Sequence, residues 1–197
     1  MTSFTTECVR CERLALFLSD VRSQYPDYFA RPVPAFGDRD ARCCIVGLAP
    51  GMHGANASGR PFTGDHAGIL LYRTLYKYGF ATKPESIASD DDLELINCRI
   101  TNAVKCLPPQ NRPNADEFRA CRSYLAKELQ ALHNLRVVIG LGHGAYTSLL
   151  RYFQTLGLIR RLSERPFNHA AAHRLANGLW LVGCYHTSRY NVQTGRM

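Results

Sequence analysis

The sequence contains no apolar run long enough to cross a bilayer, and its N terminus has neither the basic start nor the apolar stretch of a signal peptide. It also lacks internal repeats, low-complexity tracts and a clear linker. Hydrophobic residues make up 46% and charged residues 20%, as in ordinary globular proteins. We therefore expect a cytosolic protein that does not associate with membranes and forms a single domain over residues 1–197.

Acidic residues are fewer than basic residues: the sequence has 16 Asp and Glu and 24 Lys and Arg, which gives a formal net charge of +8. Such a charge suits a polyanionic partner, since neutralised phosphates release condensed counterions. An unengaged basic surface explains the charge equally well. Phosphate contact is favoured by the arginines that lie in Gly- and Pro-containing stretches: Arg60, Arg112, Arg165, Arg189 and Arg196.

The eight cysteines fall into two groups, and disulfides are not expected in a reducing compartment. One group lies in apolar, strand-like runs and predicts small buried side chains: Cys43, Cys44, Cys98 and Cys184. The other lies in polar or turn-rich surroundings and includes a CxxC pair: Cys8, Cys11, Cys106 and Cys121. Four thiolates suit either a tetrahedral zinc or an iron–sulfur cluster, and the spacing does not separate the two.

Apolar periodicity predicts helices over residues 10–25 and 65–78, a third beginning at Asn114 with Glu117 as capping-box partner, and a fourth after Gly142. Strands are predicted over 42–48, within 93–104, and over 136–141 and 179–185, with a hairpin turn at 177–178. Strands separated by helices indicate an α/β fold, a largely parallel sheet with helices on both faces.

Three segments follow the carboxyl ends of predicted strands, where ligands bind in such sheets. They are residues 49–65, 102–109 and 186–196. The first is rich in glycine, which lets backbone amides approach an anion or a planar ring. A surface turn is the alternative, but a loop of this length in a compact domain is more often functional.

Three motifs together resemble the uracil-DNA glycosylase superfamily, most closely family 5, the iron–sulfur branch with relaxed base specificity. They are GLAPGMHGANASGRPFTGD from residue 47, TNAVKCLPPQNRP from residue 101 and YHTSRYNVQTGR from residue 185. The resemblance implies a three-layer αβα sandwich with a mainly parallel four-stranded sheet. It further implies a [4Fe-4S] cluster held by the second cysteine group, and hydrolysis of the N-glycosidic bond of a flipped-out base.

The resemblance also implies residue roles. Phe62 stacks on the flipped base, Asn102 hydrogen-bonds its edge, and His186 stabilises negative charge on the departing base. Ser188 and Asn191 contact the DNA backbone. Further contacts to the substrate are expected from Gly47, Ala49, Gly51 and His53, and contacts to DNA from Arg189 and Tyr190. The place of these last two after the histidine motif predicts that one of them, Tyr190 before Arg189, enters the base stack as a wedge; phosphate contact by both is the alternative.

The water-holding residue departs from the wider superfamily, because Leu48 and Ala49 stand where relatives place an acidic or amide side chain. Catalysis should therefore depend mainly on His186. Asp65 is the nearest carboxylate that could position water, with His53 and Asn56 as further candidates. An equally good role for Asp65 is the N-cap of the following helix.

These patterns predict a monofunctional glycosylase that removes uracil and other deaminated or modified bases from DNA, with duplex favoured, and acts as a monomer. The product is an abasic site, because no motif lysine stands out as a Schiff-base nucleophile. A strict uracil enzyme of the family 4 type is one alternative. A non-catalytic iron–sulfur module that binds nucleic acid or senses redox state is another.

Overall fold

The computed structural model describes residues 4–196. Its helices are α1 (Glu12–Gln24), α2 (Ala55–Ser58), α3 (His66–Lys77), α4 (Ala115–Ala131), α5 (His143–Thr155) and α6 (Arg189–Gln193). Its strands are β1 (Phe36–Gly37), β2 (Cys43–Gly47), β3 (Cys98–Asn102), β4 (Val137–Leu141), β5 (Ala172–Arg174) and β6 (Trp180–Cys184). Across 4–196, no helix is both long and apolar enough to cross a membrane.

The strands form one sheet in the order β1-β3-β2-β4-β6-β5. The four central strands are parallel, which confirms the expected α/β architecture, and the two edge strands pair antiparallel. Both edge strands were absent from the sequence-based prediction, because two or three residues are too few to establish a period of two. The predicted hairpin turn at 177–178 joins β5 to β6.

The central strands are buried on both faces, which explains their nearly continuous apolar composition. On β2, Ile45 packs into the cluster that includes α3, whereas Cys44 and Val46 pack into the cluster formed with α4 and α5. Because successive strand residues point to opposite faces, this alternation places helices on both sides of the sheet. The three-layer sandwich follows directly.

Helix α1 packs against the layer formed by α4 rather than against the sheet. Leu14 and Leu18 share a buried cluster with Cys121 and Tyr124 of α4. Arg13 donates two hydrogen bonds of 2.7 Å to the carboxylate of Glu117, which is also the capping-box residue of α4. The N-terminal helix is therefore held to the middle of the chain by apolar packing and by an ion pair.

Candidate active site

A cavity of about 320 Å³ lies at the carboxyl edge of the sheet. It collects residues from all three of the segments that follow predicted strands. Its lining is Leu48, Ala49, Gly51, Ala55, Phe62, Asp65, Asn102, Asn111 and His186.

Phe62 is held at this cavity by close backbone packing. Its φ of 56° lies in the left-handed region, which costs a non-glycine residue about 1–3 kcal/mol. A Cβ on Gly68 would lie 2.0 Å from the Phe62 carbonyl oxygen, and one on Gly47 would lie 2.7 Å from its ring. Glycine is therefore required at both positions, because Gly68 of α3 packs against the Phe62 backbone and Gly47 of β2 packs against its ring.

Asn102 ends β3 beside Gly47 of β2 and is only 3% exposed. A Cβ on Gly47 would lie 2.4 Å from its Oδ1 atom. Within residues 4–196, the Asn102 side chain makes no hydrogen bond, although it lines the cavity. A buried amide in this state has a donor and an acceptor available for a ligand.

His186 follows β6 on a loop that is fixed from both sides. The Thr187 hydroxyl donates to the Ala67 carbonyl at 2.8 Å, and the Asn191 amide donates to the His186 carbonyl at 2.8 Å. The imidazole lies 6.0 Å from the Phe62 ring, centroid to centroid. Burial lowers the pKa of His186, although the Asp65 carboxylate opposes this effect, so the ring is neutral at neutral pH.

Asp65 takes the capping role that the sequence predicted, and its two carboxylate oxygens have different surroundings. Its Oδ1 accepts a 2.8 Å hydrogen bond from the Gly68 amide and caps α3. Its other oxygen is directed toward the glycine-rich segment 49–65, the glycine loop, where a Cβ on Gly54 would lie 2.6 Å from Oδ2. Burial raises the pKa of Asp65, with the Gly68 hydrogen bond and His186 acting in the opposite direction.

Three residues predicted from the first motif do not line this cavity: Gly47, His53 and Asn56. The His53 ring lies 2.8 Å from the Tyr28 hydroxyl, measured from Nδ1, and is exposed on the outer side of the loop. Asn56 is fully buried, and its amide donates to the Met52 carbonyl at 3.4 Å. Conversely, Asn111 reaches the cavity and was not singled out from the sequence, although its turn-rich Pro-Pro-Gln-Asn context was a signal.

Helix α6 follows His186 and carries the remaining predicted DNA contacts. The Ser188 hydroxyl caps this helix by accepting from the Asn191 backbone N–H at 3.4 Å. The Asn191 side-chain amide donates to the His186 carbonyl, so both side chains are engaged within the chain. Arg189 is exposed, and Tyr190 is 60% exposed with the Arg196 guanidinium 5.1 Å from its ring.

Arg60 is not available for phosphate contact, contrary to the expectation from its loop position. It is 6% exposed and forms an ion pair of 2.5 Å with Asp91. Hydrogen bonding from Arg60 and from backbone amides holds the pKa of Asp91 at about 2, although burial acts in the opposite direction. This pair ties the glycine loop to the segment before β3.

The second cysteine group comes together beside α1. Cys8, Cys11, Cys106 and Cys121 line one small cavity, and the Tyr124 hydroxyl donates to the Cys8 sulfur at 3.4 Å. Burial, followed by the neighbouring Cys121, raises the pKa of Cys11 to about 11. Burial also raises the pKa values of Cys106 and Cys121. Within residues 4–196, no three His, Cys, Asp or Glu side chains are grouped closely enough to hold one metal ion.

Comparison with known proteins gives one consistent result. A family model described as the uracil DNA glycosylase superfamily matches residues 34–197. The type-5 uracil-DNA glycosylase of Thermus thermophilus is 45% identical over 98% of this chain and 87% of its own length. That of Pyrobaculum aerophilum is 40% identical over 96% and 82%. A type-4 enzyme from Archaeoglobus fulgidus is 34% identical over 61% of this chain.

Proposed function

The chain belongs to the uracil-DNA glycosylase superfamily, and we propose that it is a DNA glycosylase that hydrolyses the N-glycosidic bond of uracil in DNA. One observation carries the proposal. An aromatic ring, an uncommitted buried amide and a neutral imidazole converge on one cavity at the carboxyl edge of the sheet. Type-5 relatives match nearly the whole chain, whereas the type-4 relative matches a shorter part, which favours a type-5 enzyme.

The cavity suits a base that has been taken out of the DNA stack. Enzymes that act on a base flip it into a pocket that stacks on its face and reads its edge. Phe62 supplies the stacking surface, and the Asn102 amide supplies one donor and one acceptor for the edge. Because the Asn102 amide offers both a donor and an acceptor, the cavity also accepts other deaminated bases in this proposal.

His186 stabilises the leaving base. As the bond between the sugar C1′ and the base nitrogen breaks, its electron pair passes to the base and charge accumulates on the pyrimidine oxygen. A neutral imidazole N–H placed there binds the transition state more strongly than the ground state. Water then adds to C1′ and releases a proton, which leaves an abasic sugar. The free oxygen of Asp65 is placed to orient that water, because Leu48 and Ala49 are apolar.

Strand cleavage through a Schiff base is not part of the proposal. No lysine is among the cavity-lining residues of the described chain. The motif lysine, Lys105, is 1% exposed and forms an ion pair of 2.6 Å with Glu128 beside the cysteine cavity. A buried, paired ammonium outside the lining of the catalytic cavity is unsuited to nucleophilic attack.

The cysteine site suits a [4Fe-4S] cluster better than zinc. One zinc ion needs its four ligand sulfurs within about 2.3 Å of a single point, a grouping that these thiols do not make in residues 4–196. A cubane separates four thiolates over different irons, so its ligands stand farther apart. The positive charge of the cluster core would also stabilise the thiolate forms of the cysteines, because burial alone favours the neutral thiols here. When bound, it would cross-link α1, the loop after β3 and α4.

The direct test is base release from a uracil-containing oligonucleotide under single-turnover conditions. Wild-type protein should release uracil and leave an alkali-sensitive abasic site. His186→Ala should slow release on the order of a hundredfold or more, as for the loss of a preorganised donor to a developing anion. If wild-type protein binds uracil DNA without releasing base, a non-catalytic binding module replaces the proposed enzyme. Parallel substrates with hypoxanthine and xanthine test the broader base range.

A further inference from the structure

A second concave surface lies between α4 and α5, and it shares no lining residue with the catalytic cavity. We call it the α4–α5 groove, and it has a volume of about 440 Å³. It is bounded by Phe118, Arg119 and Arg122 of α4 and by His143, Ser148 and Arg151 of α5. These positions follow helical spacing, so the groove is formed by one face of each helix.

The groove is basic and its charges are largely uncompensated. In the described residues, Arg122 and Arg151 form no ion pair with a carboxylate, and only Arg119 pairs with Asp116, at 2.6 Å. Burial lowers the pKa of Arg122, and the neighbouring guanidiniums of Arg151 and Arg119 lower it further. Three clustered guanidiniums repel one another unless an anion lies between them.

Ser148 supplies an independent indication of a ligand. It is 3% exposed and lines the groove, yet its Oγ atom has no hydrogen-bond partner in the described chain. A serine inside a helix ordinarily satisfies its hydroxyl on the carbonyl one turn earlier. The Nε atom of Arg122 is likewise buried and unpartnered. Leaving such groups unsatisfied is costly, so an acceptor is expected here.

Helix α5 also begins at this groove. Gly142 stands at its N-cap with no side-chain hydrogen bond to the first turn, so the amides at the positive end of the helix dipole are not capped by a side chain. Uncapped first-turn amides beside arginines are the usual surroundings of a bound phosphate.

The groove adjoins the catalytic cavity. A Cβ on Gly144 of the groove would lie 2.7 Å from the Leu48 Cδ1 atom, and Leu48 lines the catalytic cavity. A Cβ on Gly142 would lie 3.4 Å from the His186 Cβ. A strand whose base enters the cavity therefore passes close to the groove.

We propose that the α4–α5 groove is a second phosphate-binding site, which takes a backbone phosphate of the DNA strand outside the nucleotide held in the catalytic cavity. The choice of a DNA strand as the ligand of this groove rests on the proposed function. Arg122, Arg151 and the Ser148 hydroxyl donate to the phosphate oxygens. The contact carries no sequence information and sets the register of the strand.

The test measures the affinity for a 25-base-pair duplex carrying an abasic analogue as a function of salt. Arg122→Gln/Arg151→Gln should weaken binding about tenfold and lower the slope of log K against log salt by about 1. Ser148→Ala should weaken binding about threefold without loss of thermal stability, because it removes an unsatisfied hydroxyl.

Arg39→Gln is the matched control, because Arg39 is an exposed arginine before β2, at the opposite edge of the sheet. It removes one exposed positive charge, half of what the double variant removes, and should leave the affinity and the salt slope near wild type. A double variant that behaves like Arg39→Gln overturns the inference. If instead inorganic phosphate stabilises the wild type but not the double variant, and duplex affinity is the same for both, the groove binds free phosphate and not DNA. Failure of the wild type to release uracil would contradict the proposed function alone.

Discussion

At the scale of single residues, the candidate site depends on the environments that burial creates for two titratable side chains. Burial lowers the pKa of His186 and raises that of Asp65, so each group is pushed toward its neutral form. Their charges oppose these shifts, because each favours the ionised form of the other. Each charge therefore limits the shift that burial causes in the pKa of the other group.

The lowered pKa of His186 has a consequence for stability. The pKa of this histidine is lower in the folded protein than in the unfolded chain, where it is about 6.5. As the pH falls below 6.5, the unfolded chain binds the proton first, so the folded state loses stability until the pH has passed the folded-state pKa. Between pH 7.5 and pH 5.5, wild-type protein should therefore lose more unfolding free energy than His186→Asn. Chemical denaturation at both pH values measures the difference. Equal losses would mean that the imidazole is not held neutral by burial.

Asp65→Asn separates capping from water positioning. Asn caps a helix as well as Asp, and it avoids burying a carboxylate whose raised pKa opposes ionisation at neutral pH. The melting temperature at pH 7.5 should thus be unchanged or higher. Single-turnover base release should nevertheless slow while DNA affinity holds. A variant with the wild-type rate would leave Asp65 with the capping role alone.

At the scale of elements, α6 joins the histidine loop to an exposed aromatic side chain. Its N-cap and the Asn191 hydrogen bond to the His186 carbonyl hold this helix beside the cavity. Tyr190, at 60% exposure, is free to enter a space that a flipped base leaves in the stack.

Tyr190→Ala should reduce base release from duplex DNA much more than from single-stranded DNA. The reason is that a wedge stabilises the extruded base only where a partner strand and stacked neighbours must be replaced. Single-turnover rates on the same sequence in both forms provide the measurement. Arg189→Ala is the adjacent control, since loss of a phosphate contact should affect both forms alike. Equal losses for Tyr190→Ala would exclude the wedge role.

At the scale of the whole molecule, two connections add to the apolar packing that joins the N-terminal helix to the rest of the chain. One is the Arg13–Glu117 ion pair, and the other is the cavity of four cysteines. Arg13 is 43% exposed, so solvent screens its side of the pair and limits its contribution to about 1 kcal/mol. A cluster that bonds three distant segments should contribute more.

Purified protein should accordingly be brown and contain about four irons and four sulfides per chain. Cys106→Ala or Cys121→Ala should lose colour and iron and should unfold at lower temperature. Cys184→Ala is the matched control, because Cys184 is a partly buried strand cysteine away from that cavity. Metal and sulfide analysis with thermal unfolding gives the answer. One zinc per chain without sulfide would contradict the cluster.

Local pattern in the sequence determined the kinds of elements and the edge of the sheet that carries the site. The period of apolar residues, the Asn114–Glu117 capping box and the turn at 177–178 each act within a few residues, so they appear directly in the sequence. Since parallel strands end at one edge, the segments containing Phe62, Asn102 and His186 were expected to meet, and they do.

Only the tertiary structure decided how side chains from distant segments are used. From its position in the loop, Arg60 was expected to contact phosphate. In the structure it forms a buried ion pair with Asp91, which lies 31 positions away in the sequence. The two oxygens of Asp65 have different surroundings, because one caps its own helix and the other lies against a different loop. The α4–α5 groove exists only because the packing of two helices brings Arg122, Ser148 and Arg151 together. Contacts of this kind depend on packing geometry, which no local period encodes.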